Sequence, residues 1–86
     1  MSGYLDGNAA AGALSEVFVG DITTALGRCA HCGRTGAMAT TRCYLDPHGL
    51  VLRCPGCAEV LLRLVEGDGQ LRLDLRGVSF LTLTRP

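Results

Sequence analysis

The chain has 86 residues, of which 48% are hydrophobic and 19% are charged, and its formal net charge is zero. This length and composition predict one folded domain, residues 1–86, and exclude a disordered tail, although a core of this size is close to the lower limit for stability. No run of about 18 apolar residues occurs and the N-terminus lacks the basic lead of a secretory signal, so we expect a cytoplasmic protein without a membrane span.

A helical segment is predicted first, over residues 1–20. Asp6 or Asn8 can cap a helix whose apolar residues recur at roughly helical spacing between 8 and 18. The following sequence, DITTALGR, places every second residue on one side, which is typical of a strand: Ile22, Thr24 and Leu26.

Short strands and tight turns are predicted over the rest of the chain. The sequence DPHG at 46–49 is a turn signal, and GDG at 67–69 joins residues 60–66 and 70–76 in a hairpin. The second strand of this hairpin alternates leucine with charged residues, which predicts one buried and one exposed face; the leucines are Leu71, Leu73 and Leu75. The predicted fold class is therefore mostly β, a small α+β protein with a short N-terminal helix and extra C-terminal antiparallel strands over 67–86.

Four of the five cysteines form two matched Arg-Cys-x-x-Cys turns, in GRCAHCG at 27–33 and LRCPGCA at 52–58: Cys29, Cys32, Cys54 and Cys57. Two residues between thiols let one tight turn direct both sulfurs at one ion, and two facing turns complete a tetrahedron. Gly33 and Gly56 stand where such turns need a backbone without a side chain, and Pro55 bends the second turn in advance. The alternatives are two local disulfides, which a reducing cytoplasm disfavours, or four unrelated buried thiols. The spacing predicts a zinc site.

The zinc ion is predicted to be structural. Four thiolates leave no coordination position for water or substrate, so we expect no catalytic residues. Three arginines adjoin the turns, and we expect them to offset the negative charge of the zinc–thiolate centre, or else to contact phosphate or an acidic partner: Arg28, Arg34 and Arg53. Cys43, in a predicted strand, is interpreted as a small buried residue, and His31 and His48 as turn residues without a ligand role.

The two cysteine turns, RCAHCG and RCPGCA at either end of a hairpin, resemble a zinc ribbon over residues 26–66. The whole chain, from LDGNAAAGALSEVF through RCAHCGRTG and RCPGC to LRLDLRG, also resembles a family of short uncharacterised actinobacterial proteins with two CxxC pairs. That resemblance implies a single domain and no particular mechanism. CAHCG followed by CPGC is similar to rubredoxin as well, which implies iron as the alternative metal; the chain has no tryptophan, and we predict zinc over iron.

Three functions are consistent with these features. The first is a non-enzymatic zinc-ribbon module that binds another protein, or a second copy of itself, through the helix at 8–18 or through outer C-terminal side chains: Leu61, Val65, Leu81 and Leu83. The second is a nucleic-acid-binding ribbon, which a neutral chain with a pI of about 6.7 and few aromatic residues disfavours; its phosphate contacts would be Arg28, Arg34, Arg42 and Arg53. The third is a one-iron electron carrier. We favour the first.

Overall fold

The computed structural model describes residues 4–14 and 22–83, and this part of the chain contains eight β-strands and one short α-helix. All strand pairs are antiparallel, and they form two sheets. The predicted mostly β fold class is confirmed. Among the described residues no helix has the length and apolar character needed to cross a membrane. The elements are β1 (Leu5–Asp6), α1 (Ala11–Leu14), β2 (Leu26–Cys29), β3 (Thr35–Ala37), β4 (Arg42–Asp46), β5 (Gly49–Arg53), β6 (Val60–Gly67), β7 (Gln70–Asp74) and β8 (Val78–Thr82).

The N-terminal segment is wound more tightly than predicted. A 3₁₀ turn, Gly7–Ala10, precedes α1, and Asp6 caps it by accepting a hydrogen bond from the backbone N–H of Asn8. Ala10 and Leu14 are buried, so this segment closes one side of the core. The predicted helix therefore begins with a 3₁₀ turn, and its residues 15–18 lie outside the described part of the chain.

Residues 22–24 form a 3₁₀ turn and not the predicted strand. Ile22 and Thr23 are adjacent and both buried, which a strand with one buried face does not allow because successive side chains point to opposite faces. The N–H of Ala25 donates to the carbonyl of Ile22 at 3.0 Å and closes the turn. Only from Leu26 onward is the strand prediction confirmed.

The larger sheet has the strand order β1-β4-β5-β6-β7. Both predicted turns join neighbouring strands of this sheet, at Pro47–His48 and at Asp68–Gly69. One face of the sheet carries the core, in which buried leucines lie opposite one another on β5 and β6, as in the pair Leu52 and Leu62. The opposite face points away from this core.

The predicted leucine face of β7 is only partly buried. Leu73 and Leu75 are half-buried against the core, whereas Leu71 is 43% exposed. Leu71 lies opposite Glu66, beyond the last core leucine of β6, so the prediction was wrong for Leu71. Among the side chains predicted to lie outside the core, Leu61 is buried and Leu83 is exposed.

The smaller sheet has the order β3-β2-β8, so the C-terminal strand pairs with β2 and not with the hairpin that precedes it. The chain crosses between the sheets at Gly77, where a Cβ would overlap the carbonyl oxygen of Val60. Glycine is therefore required for this close approach. Because β2 ends at Cys29 and β5 ends just before Cys54, each sheet carries one of the two cysteine turns.

Candidate metal centre

The first cysteine turn follows β2. The N–H of Cys29 donates to the carbonyl of Arg34 at 2.8 Å, and the N–H of Gly33 donates to the carbonyl of Cys29 at 2.9 Å. Gly33 has a φ of +82°, in the left-handed region that glycine adopts without strain. The need for glycine at this position is the one predicted from the sequence.

The second cysteine turn follows β5 and repeats the same two hydrogen bonds. The N–H of Cys54 donates to the carbonyl of Glu59 at 2.9 Å, and the N–H of Ala58 donates to the carbonyl of Cys54 at 2.8 Å. The left-handed residue of this turn is Ala58, with a φ of +66°. Sequence reasoning missed Ala58, because alanine carries no signal for a positive φ.

Gly56 serves the second turn differently from Gly33. Its φ is not positive, so the reason for glycine here differs from the reason at Gly33. A Cβ at Gly56 would lie 3.3 Å from Cδ of Arg34 and 3.6 Å from Sγ of Cys54. Glycine therefore gives the arginine of the first turn room to lie against the second turn.

The two turns bring four sulfurs together. Sγ of Cys29 lies 3.7 Å from Sγ of Cys57, and Sγ of Cys32 lies 3.7 Å from Sγ of Cys54. All four sulfurs lie within 4.8 Å of one another. A regular tetrahedron with metal–sulfur bonds of ~2.3 Å separates its sulfurs by about 3.8 Å. The four cysteines are therefore positioned to bind one metal ion, and each pair of closest sulfurs joins one turn to the other.

Backbone N–H groups support a charged sulfur in the first turn. The N–H of Cys32 points at Sγ of Cys29, at 3.4 Å. Burial acts to raise the pKa of Cys29, but the N–H groups of Cys32 and His31, together with the thiols of Cys57 and Cys32, lower that pKa to about 6. The lowered pKa favours the thiolate form of Cys29, which is the form that binds a metal ion.

In the second turn the pKa values of the two cysteines shift in opposite directions. Burial acts to raise the pKa of Cys54, but the N–H groups of Cys57 and Gly56 and the neighbouring thiols lower it; the N–H of Gly56 lies 3.3 Å from Sγ of Cys54. At Cys57 the N–H of Glu59 lowers the pKa, while burial and the other three thiols raise it to about 12. Thiols whose titrations are coupled in this way form a site in which a cation can replace their protons.

All five cysteines are free thiols. The closest sulfur pairs are separated by nearly twice the ~2.05 Å of a disulfide bond, so the disulfide alternative is not formed. Cys43 lies apart from the cluster on β4 and is fully buried in the core, as predicted. Burial raises the pKa of the Cys43 thiol, and the carboxylate of Asp6 adds to this effect.

The three arginines predicted near the metal centre lie on the two turns. A Cβ at Gly33 would lie 3.4 Å from a terminal nitrogen of Arg28, which places that guanidinium over the first turn. Arg34 extends from the first turn to Gly56 in the second. Nη1 of Arg53 donates to the carbonyl of Ala58 at 2.8 Å and closes the second turn from outside.

Both histidines are exposed turn residues, as predicted. Nδ1 of His31 lies 3.9 Å from Oε1 of Glu59, so an exposed pair of side chains links the two turns. The backbone N–H of His48 donates to Oδ1 of Asp46 at 2.7 Å, which makes Asp46 a turn-forming residue. Neither imidazole belongs to the sulfur cluster.

The four sulfurs differ in their access to solvent. Cys29 and Cys54, the first cysteine of each turn, are buried, whereas Cys32 is exposed and Cys57 is half-buried. Each turn therefore contributes one inner and one outer sulfur. The sulfur cluster lies at the edge of the core, where the cysteine turns of the two sheets meet.

Comparison with known proteins places the whole chain in one family. The sequence model of DUF6510, described as a family of unknown function, matches residues 1–86. No curated protein and no solved structure matches the chain.

Proposed function

The chain belongs to the DUF6510 family, and we propose that it is a non-enzymatic zinc-ribbon protein whose four cysteines hold one structural zinc ion. The observation that carries this proposal is the mutual approach of the four sulfurs within 4.8 Å. Zinc would join the two turns and, through them, the larger sheet to the smaller one. The proposal keeps the single-domain organisation and the cytoplasmic location expected from the sequence. It also keeps the actinobacterial origin that the resemblance implied.

Zinc is proposed over iron because of the residues that form the core. Four sulfurs in a tetrahedron suit either metal, so geometry does not separate them. A rubredoxin-like iron site is expected to lie against an aromatic core, whereas the buried core of the described residues consists of aliphatic, methionine, cysteine and threonine side chains. Both tyrosines lie together at the surface of the larger sheet, with ring centroids 5.9 Å apart.

The proposed ion would have no open coordination position, because four cysteine sulfurs complete a tetrahedral set. This is the physical basis for proposing a structural role and no enzymatic activity. Arg28, Arg34 and Arg53 would offset the negative charge of the metal–thiolate centre, since all three lie on the turns that carry the sulfurs.

A protein partner remains part of this proposal. The outward face of the smaller sheet carries Leu26, which is 46% exposed, and Phe80, which is 47% exposed. Phe80 lies opposite Arg28 on the neighbouring strand, so the apolar patch has a basic border. An exposed aromatic side chain beside an arginine is a composition that protein interfaces favour. A second copy of the chain is one candidate for this partner, and sedimentation of the purified protein would reveal it.

Metal analysis of the protein purified from its native source without oxygen tests the proposal. We expect one zinc ion per chain, no visible absorption and complete unfolding when a strong chelator removes the ion. A red protein with thiolate-to-iron absorption and one iron per chain would overturn zinc in favour of the electron carrier. A metal-free chain that remains folded would overturn the structural role.

A further inference from the structure

The outer face of the larger sheet concentrates arginine. This face, here the arginine face, is the one opposite the buried leucines, and the alternation along the strands assigns side chains to it. Its arginines come from four neighbouring strands and the turn that follows them: Arg42, Arg53, Arg63, Arg72 and Arg76. At ~4.8 Å between strands, the four strands span about 14 Å. The basic residues therefore form a band across the sheet and not an isolated cluster.

The arginine face carries more basic than acidic side chains. The same alternation places three aspartates there, against five arginines: Asp6, Asp46 and Asp74. The ion pair that the described residues form on this face joins Arg76 to Asp74, with Nη2 2.7 Å from Oδ2. Arg42 lies opposite Asp6 on β1, and Arg63 lies opposite Asp74 on β7. Arg42 and Arg53 also lie directly opposite each other on β4 and β5, although like charges in that position are destabilising. An anion bound between them would remove this repulsion.

Two tyrosines accompany the facing arginines. The guanidinium of Arg42 lies 5.1 Å from the ring centroid of Tyr4, and that of Arg53 lies 5.8 Å from the centroid of Tyr44. The two rings are 5.9 Å apart, and they are the only tyrosines of the chain. Tyr4 is 42% exposed. Aromatic rings and guanidinium planes are the surfaces on which unpaired bases stack, while arginine also binds phosphate.

We propose that the arginine face binds single-stranded nucleic acid, with bases stacked at Tyr4 and Tyr44 and phosphates on Arg42, Arg53 and Arg63. A net charge of zero disfavours nucleic-acid binding when the basic and acidic side chains are evenly distributed over the surface. The arginine face instead gathers five of the eight arginines on one side of one sheet. A broad sheet face is also open to splayed bases, whereas a duplex hides its bases from such a surface.

This surface is distinct from the apolar patch around Phe80, which lies on the other sheet. It touches the metal centre at one point, because Arg53 immediately precedes Cys54 and donates to the carbonyl of Ala58 in the second cysteine turn. The zinc ribbon would therefore hold one phosphate-binding arginine in place. The inference goes beyond the structural zinc site and does not depend on which metal occupies it.

Binding of fluorescent 12-residue oligothymidine and oligouridine to the zinc-loaded chain, followed by anisotropy at ~50 mM and ~200 mM salt, tests the inference. With three phosphates neutralised, the logarithm of the affinity should fall against the logarithm of salt with a slope of about −2. Arg42→Gln and Arg63→Gln should each weaken binding at least fivefold and reduce that slope. Tyr44→Leu should weaken binding about fivefold or more at unchanged slope, because stacking carries no counterion release.

Two further variants distinguish an effect of the arginine face from an effect of the net charge of the chain. Thr82→Glu on β8 of the smaller sheet lowers the net charge by the same single unit as Arg42→Gln, and it should leave the affinity within twofold. Asp46→Asn removes a negative charge from the arginine face while its side-chain oxygen can still accept from the N–H of His48, so it should tighten binding. Zinc content and thermal unfolding of each variant verify that the fold is retained.

Each remaining outcome is decisive. No binding at ~50 mM salt, or equal loss in Thr82→Glu and Arg42→Gln, overturns the inference. Binding of polyglutamate or of duplex as tight as that of the oligonucleotides overturns it too, the first in favour of an acidic protein partner. A protein that contains one zinc ion but does not bind the oligonucleotides would overturn this inference and leave the proposed zinc ribbon intact. A protein that binds the oligonucleotides but contains no metal would overturn the zinc ribbon and support this inference.

Discussion

The two cysteine turns have the same backbone and different sequences. In each turn the first cysteine donates its N–H to the carbonyl five residues later and accepts from the N–H four residues later. The residue in the left-handed conformation is Gly33 in the first turn and Ala58 in the second. The geometry that places two sulfurs on one ion is thus determined by the hydrogen-bond pattern and the cysteine spacing. The side chains between and after the cysteines adapt to it.

The turns also belong to different sheets, which gives the metal its proposed mechanical role. Hydrogen bonds of the strands hold each turn to its own sheet, while the two sulfur contacts of 3.7 Å run between the turns. A single ion at this position would close the contact between the sheets at one end, and the crossing at Gly77 closes another. The following variants test whether the two turns are equivalent.

The largest effect is expected from losing one inner sulfur. Cys29→Ser and Cys54→Ser each remove a buried ligand, and we expect both chains to lose zinc and cooperative unfolding together. Structural zinc contributes roughly 10–16 kcal/mol in zinc-finger peptides, more than the whole stability of most small domains. Metal content and a thermal unfolding curve measure both properties on one sample.

Cys43→Ala is the matched control for these two variants. It removes a fully buried sulfur outside the cluster and should cost about 1 kcal/mol through the small cavity, with zinc retained. Should Cys54→Ser keep zinc while Cys29→Ser loses it, the second turn would not be equivalent to the first and the metal would not depend on all four sulfurs.

An intermediate effect is expected from exchanging the left-handed residues. Gly33→Ala places a methyl group in a left-handed conformation and should lower the free energy of unfolding by about 1 kcal/mol. Ala58→Gly relieves the same strain in the other turn and should raise it by up to ~1 kcal/mol, reduced by the greater entropy of glycine in the unfolded chain. Urea unfolding of the zinc-loaded variants measures both changes.

The signs of these two changes matter more than their sizes. If the two variants change the free energy of unfolding in opposite directions, both positions require the left-handed backbone conformation, and alanine adopts it only with strain. If Ala58→Gly destabilises the protein as much as Gly33→Ala does, the methyl group of Ala58 has a packing role and the equivalence of the turns fails.

The sequence predicted the site better than the fold, and the reason is the range of the interactions. A CxxC turn is local, so its spacing alone identified the four cysteines that the structure brings together. Hairpins at 46–49 and 67–69 are local too, and both were predicted correctly. The pairing of β8 with β2 joins residues 49 to 56 positions apart, and nothing in the alternation of β8 specifies its neighbour.

The remaining errors arose where burial overrode a local pattern. Residues 22–24 have the alternating pattern of a strand, but Ile22 and Thr23 are both buried in the structure. A 3₁₀ turn allows two adjacent side chains to be buried on the same side, whereas a strand does not. Leu71 alternates like a core residue and is exposed because its strand extends beyond the leucines of β6. The arginine face was not predicted from the sequence for a similar reason, because the register of the strands determines on which face of the sheet each charged side chain lies.

The smallest effect is expected at the exposed link between the turns. Glu59→Gln removes the charge that faces Nδ1 of His31 at 3.9 Å, while both side chains are more than half exposed. A surface pair of this kind contributes about 0–1 kcal/mol and is screened by salt, so zinc affinity and the unfolding midpoint should stay within error of the parent chain. The carbonyl of Glu59 that accepts from Cys54 belongs to the backbone and is retained in this variant. A measurable loss of zinc in Glu59→Gln would mean that side chains, and not the repeated backbone pattern and the shared ion, hold the two turns in register.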